Sequence, residues 1–129
     1  MLVYLSGPMT GYDDDNFPAF NAAAAVLRSY GHVVLNPAET AGGTKALTRT
    51  QFLYIDVGYV QAAEAIVMLP GWEDSKGALL ELHIAHALGK PAYHYNERMW
   101  WGGVGPQLHV ESFLPVMGRG QEKLWPENA

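Results

Sequence analysis

Four short apolar runs, LVYL at 2–5, HVVL at 32–35, AIVML at 65–69 and PAYHY at 91–95, recur along the chain with a helix-forming stretch between each pair. Runs this short, bounded by glycine, proline or asparagine, read as buried strands rather than helices. The order strand, helix, strand, helix, strand, helix, strand predicts a parallel sheet with helices on both faces, because each helix carries the chain back to start the next parallel strand. The expected fold is a single-domain α/β three-layer sandwich. The 129 residues suit one domain, and 49% apolar content is enough to build its core.

The helices have their own local signals. Phe17-Pro18 opens the first, with Asn16 as its expected cap and Pro18 acceptable in the first turn. Its alanine-rich stretch, AFNAAAAVLRSY, can pack close to a sheet, and Gly31 ends it. The second covers 49–62, where Phe52, Ile55, Tyr59 and Val60 recur at helical spacing. The third starts near Ser75 and stops at Gly89. Asp13, Asp14 and Asp15 read as a solvated loop, and the polar, glycine-bearing stretch 40–48 as a mobile one. The core of the domain is expected over 1–98. Residues 99–129 read as a C-terminal extension of it, lying at an interface or partly disordered. In that extension, Trp100 and Trp101 suit a subunit interface, 113–117 a last short strand and 121–129 a frayed tail.

Several function classes are excluded or disfavoured. The chain has no cysteine, so disulfides, thiol nucleophiles and thiolate metal sites are out. A net charge of −5 argues against a phosphate-backbone binder. No apolar run approaches the length of a membrane span, and the N-terminus lacks a basic leader region, so a soluble cytoplasmic protein is expected. The segment Ser6-Gly7-Pro8-Met9-Thr10-Gly11 is neither a dinucleotide fingerprint nor a P-loop.

In a sheet of this kind, ligands bind beyond the carboxyl ends of the strands. The loops at 6–11 and 70–77 fall there and are rich in glycine and polar residues. The second leads into Asp74-Ser75-Lys76-Gly77-Ala78-Leu79-Leu80-Glu81-Leu82. Free amides at a helix start suit an anion such as a 5′-phosphate, with Ser75 adding a hydroxyl and Lys76 a charge. Glu81 then projects from a helix face otherwise made of small residues. A lone acid there is costly to bury unless it is paired, as with Lys76 or Lys90, or used. Local pattern leaves both readings open.

Three segments give the chain a resemblance to the nucleoside 2-deoxyribosyltransferase-like superfamily, which includes 2′-deoxynucleoside 5′-phosphate N-hydrolases and small phage and bacterial members. They are Tyr4-Leu5-Ser6-Gly7-Pro8-Met9-Thr10-Gly11, the stretch from Asp56 to Val67, and Ser75-x-Gly77-x-x-x-Glu81-Leu82, which together span about 2–95. The resemblance implies a Rossmann/flavodoxin-like sheet and cleavage of an N-glycosidic bond, with Glu81 attacking the anomeric carbon to form a covalent glycosyl-enzyme. It implies that Asp56 holds or protonates the departing base and that Tyr4 orients Glu81. Ser6, Gly7, Met9 and Gly11 would bind base and sugar, and Ser75, Lys76 and Gly77 the 5′-phosphate. It implies no metal or cofactor, a nucleotide or nucleoside as the small-molecule partner, and a homodimer or higher homo-oligomer with a site residue borrowed from a neighbouring subunit. Water as acceptor makes a hydrolase; a second base makes a deoxyribosyltransferase. At His83 the chain departs from the family, which often has glycine after the Glu-Leu pair.

Other readings stay open at the level of sequence. The same loops serve a non-catalytic nucleotide-binding or sequestering module, and the Trp-rich tail an interaction protein. On local pattern Asp56 is a solvated helix residue, Tyr4 a core aromatic, and Gly7 and Gly11 turn formers. His83 and His86 could share a metal with Glu81 only with a further ligand, and read more simply as helix-face histidines.

Overall fold

The computed structural model describes residues 1–43, 48–96 and 104–108. Its elements are β1 (Leu2–Ser6), α1 (Phe17–Ser29), β2 (Val33–Leu35), α2 (Arg49–Ala62), β3 (Ala65–Met68), α3 (Lys76–Ala87), β4 (Ala92–Tyr95) and β5 (Val104–Gln107). The sheet order is β2-β1-β3-β4-β5. The first four strands are parallel, in register Val3 to Val34 and Ala65 on either side of β1. The chain leaves β1 toward β2, then crosses back over β1 to β3. Right-handed crossovers therefore place α1 on one face and α2 and α3 on the other.

Two cores result. Val3, Leu5, Val34 and Val67 meet Phe20, Ala23, Ala24 and Leu27 of α1. Tyr4, Ile66 and Met68 meet Val60 of α2 and Ala78, Leu82 and Ala85 of α3. The alanines of α1 serve as expected, letting the helix sit close to the strands. The α/β sandwich with helices on both faces is confirmed.

Four details differ from the sequence reading. The sheet has an antiparallel edge: β5 pairs with β4, Tyr93 opposite Gln107. Its sequence, VGPQ, has no hydrophobic alternation to mark it. Gly105 passes so close to β4 that an added Cβ would stand 2.8 Å from the His94 carbonyl oxygen, and Pro106 suits an edge strand. Asn16 does not cap α1 with its side chain. Asp14, Asp15 and Asn16 all have positive φ, a conformation that Asp and Asn tolerate best, and the Asn16 Nδ2 instead donates to the Pro8 carbonyl at 2.9 Å. The start of α2 carries a reciprocal capping box between Thr48 and Gln51 that reading for apolar spacing missed. Of the stretch expected to be a mobile loop, residues 40–43 belong to a 3-10 helix over Pro37–Gly43, with Thr40 buried, and Thr48 caps α2. Residues 44–47, Trp100 and Trp101, the strand expected over 113–117 and the tail over 121–129 lie outside the described residues. Among the described residues no helix is long and apolar enough to cross a membrane.

Candidate active site

Strand β1 alternates its side chains between faces, so Val3 and Leu5 go to α1 while Tyr4 and Ser6 go to α3. On α3, Ser75 is the N-cap: its Oγ accepts from the Ala78 amide at 3.2 Å. One turn in, the buried stripe begins, and Ala78, Glu81, Leu82 and Ala85 follow at helical spacing. Glu81 thus holds a position that would otherwise take an apolar residue, directly over β1.

The Glu81 carboxyl is 7% exposed and receives a hydrogen bond on each oxygen. The Tyr4 hydroxyl donates to Oε2, and the Ser6 hydroxyl donates to Oε1 at 2.6 Å. The pairing with lysine that local sequence allowed is not what forms. Lys90 Nζ donates to the Gln61 carbonyl, and among the described residues the ion pair that closes is Arg28 with Glu39. Asp56, half-buried on α2, faces the same place, and its Oδ1 has no hydrogen-bond partner among the described residues. Burial and, next, the charge of Asp56 push the Glu81 carboxyl up to about 8, against the pull of the Ser6 and Tyr4 hydroxyls. Burial pushes Asp56 up to about 6, with Tyr4 and Glu81 holding it down. Burial, then the charges of Glu81 and Asp56, raise the Tyr4 phenol well above its ordinary value. Two carboxyls so close titrate as a coupled pair rather than independently.

The pair opens into a cavity of about 780 Å³ at the carboxyl ends of β1 and β3, where the strand order reverses. Tyr4, Gly7, Met9, Asp56, Ser75, Lys76, Gly77 and Glu81, all named from sequence, line it together. Gly7 is required by packing, since an added Cβ would meet the Leu69 Cβ at 2.8 Å. Two named residues are not on the wall. Ser6 is 1% exposed and points at the Glu81 carboxyl, because the pleat of β1 turns it the same way as Tyr4. Gly11 makes a turn, with φ +86. The sequence reading missed the apolar wall, made by Tyr12, Phe17, Phe20, Phe52 and Leu53, and the two acids Asp15 and Asp74. Phe52 was findable: it lies four residues before Asp56, on the same helix face. The wall carries the four acids Asp15, Asp56, Asp74 and Glu81 and one base, Lys76. Among the described residues no three His, Asp or Glu side chains are grouped to hold a metal.

The sheet is flavodoxin-like, with Glu81 and the half-buried Asp56 at its switch point, and the fold is that of nucleoside 2-deoxyribosyltransferases. The chain superposes on the 2-deoxyribosyltransferase of the psychrotolerant bacterium Bacillus psychrosaccharolyticus with a TM-score of 0.60 at 24% identity, over 74% of this chain and 72% of that one. On the 2-desoxiribosyltransferase from Leishmania mexicana the TM-score is 0.57 at 21% identity, over 81% and 78%. By sequence, the chain belongs to the family described as a domain of unknown function, DUF4406, whose model matches residues 1–94. No curated protein matches it.

Proposed function

We propose that the protein cleaves the N-glycosidic bond of a nucleoside or nucleoside 5′-monophosphate through a covalent glycosyl-enzyme on Glu81. The observation that carries this reading is the Glu81 carboxyl itself, buried without a cationic partner among the described residues, held by Tyr4 and Ser6, and open to the cavity beside Asp56. A structural acid at such a position would be paired with a base; this one faces a second acid.

The pair supplies both requirements of an oxocarbenium-like reaction, an anion beneath the sugar and a proton for the base. With the shared proton on Asp56, the Glu81 carboxylate attacks the anomeric carbon. The bond to the base breaks, its electron pair leaves with the base nitrogen, and Asp56 delivers the proton. Water then attacks the same carbon, gives its proton to Asp56, and the sugar–Glu81 bond breaks with its electron pair returning to the carboxylate. The aromatic side chains Phe17, Phe52 and Tyr12 suit a flat base. The start of α3, with Lys76 and the amides near Gly77, suits the 5′ end of the sugar. A second base in place of water makes the same site a transferase, the reading favoured by the names of the two fold neighbours.

The test is a chromatographic assay of free base from a panel of ribo- and deoxyribonucleosides and their 5′-monophosphates, run with and without a second free base. Release without an acceptor identifies a hydrolase, and exchange between bases a transferase. No release and no exchange across the panel removes the enzymatic reading. Ligand binding by calorimetry that survives Glu81→Gln, with no product, would establish a binding module instead.

A further inference from the structure

Ser6 is buried, reaches the Glu81 carboxyl with its hydroxyl, and stands off the cavity wall. We propose that Ser6 is a positioning residue that braces the Glu81 carboxylate from within β1, acting with Tyr4 so that each carboxylate oxygen has its own hydroxyl donor. The proposal concerns this chain's nucleophile and rests on the function proposed above.

Three observations support it. The Ser6 hydroxyl is 2.6 Å from Oε1 while Tyr4 takes Oε2, so the two grips are separate rather than redundant. Ser6 is 1% exposed and absent from the cavity wall, so its hydroxyl has the carboxyl to serve and no ligand. Its backbone is satisfied without the side chain, since Ser6 pairs with Met68 in the sheet and its carbonyl accepts from the Leu69 amide at 2.7 Å. The hydroxyl is therefore not what holds the strand. Its role follows from where charge develops. When the bond between sugar and Glu81 breaks, the electron pair spreads over both carboxylate oxygens. Donors on both make the carboxylate a better leaving group and speed breakdown of the covalent intermediate.

The groups facing Glu81 are Tyr4 and Ser6 of β1 and Asp56 of α2, with Asp15 before α1 and Asp74 and Lys76 at the start of α3 sharing the cavity. Strand β3 contributes no titratable side chain, and the titratable residue that β4 turns to this side is His94, beside Trp72. Ser6→Ala removes one donor and changes nothing else in that set. Ser6→Cys, similar in size with a weaker donor, is the graded control.

The experiment reads the Glu81 carboxyl stretch by difference infrared titration of the unliganded protein, assigned by its loss in Glu81→Gln, beside a pH profile of base release. Ser6→Ala is expected to move the loss of the pair's last proton up by about one unit and to lower kcat about tenfold with little change in KM, since a hydrogen bond to a charge is worth about that much. Ser6→Cys should fall between. An unmoved titration and pH profile in a folded Ser6→Ala protein overturns the brace, whatever happens to its Tm. A moved titration in a protein that releases no base supports the brace and overturns the glycosidase reading instead.

Discussion

Alternate residues of one strand serve the two faces of the sheet. Val3 and Leu5 enter an apolar core against α1, where the buried partners are Phe20, two alanines and Leu27. Tyr4 and Ser6 enter the opposite core, and there the helix that covers them presents a carboxyl in the middle of its buried stripe. The core buried against α1 is apolar, mostly small or aliphatic side chains with Phe20 among them. The α3 face keeps a buried acid that no cation among the described residues neutralises. Such a group destabilises the fold, and under the proposed function its place in a core is explained by use. Both faces bury an apolar core, and among the described residues the α3 face alone sets a carboxyl inside it.

The comparison makes separable predictions. The largest effect belongs to Glu81→Gln, which should lower base release by about a thousandfold or more, as loss of a covalent nucleophile does. The same change should raise Tm. A carboxyl pushed to about 8 when folded, from an ordinary value near 4.5, keeps its proton where the unfolded chain has lost it. The unfolded state then binds fewer protons, so stability falls as pH rises through that window. The Tm advantage of Glu81→Gln should therefore grow between about pH 5 and 8, as calorimetry would show; an advantage that shrinks over this range would contradict the assigned shift.

On the other face, Leu27→Ala should cost about 3 kcal/mol in denaturant unfolding while leaving KM and the pH profile alone. A change in the profile would mean that the faces are coupled. Asp56→Asn should lower kcat about a hundredfold, the contribution of a general acid. It should also change the form of the profile. With both acids present, the active state holds one proton on the pair, so kcat/KM should be a bell between about 6 and about 8. With Asn in place the alkaline limb should vanish, because only the ionisation of Glu81 remains. The smallest effect is expected from Glu39→Gln, which breaks the exposed pair with Arg28. Solvent screening should keep its cost under about 1 kcal/mol, with activity unchanged.

How much of this was legible beforehand depended on the range of the interaction. The four parallel strands and three helices could be read because each is announced by local apolar spacing and by glycine and proline punctuation. The capping box at Thr48 and Gln51 is equally local and was readable in principle. Strand β5 was not, because VGPQ gains its place only by pairing with β4. In the site, the resemblance brought Tyr4, Asp56 and Glu81 together on paper, and the folded chain does place them around one cavity. Spacing alone left Glu81 free to pair with a lysine, since a helix pattern says which residues share a face and not what that face meets.

The sequence by itself determined the order of elements through β4, the parallel part of the sheet they build and the end of that sheet where a ligand would go, because those follow from periodicity and handedness along a single chain. The partner of the acid was decided only by tertiary structure. Residues 4 and 6 lie two apart on a strand and residue 81 lies on a helix more than seventy residues later, and the crossover that stacks them is a long-range event. Whether a buried carboxyl meets a lysine, a hydroxyl or another carboxyl sets its charge, and that charge separates a structural ion pair from a reactive one.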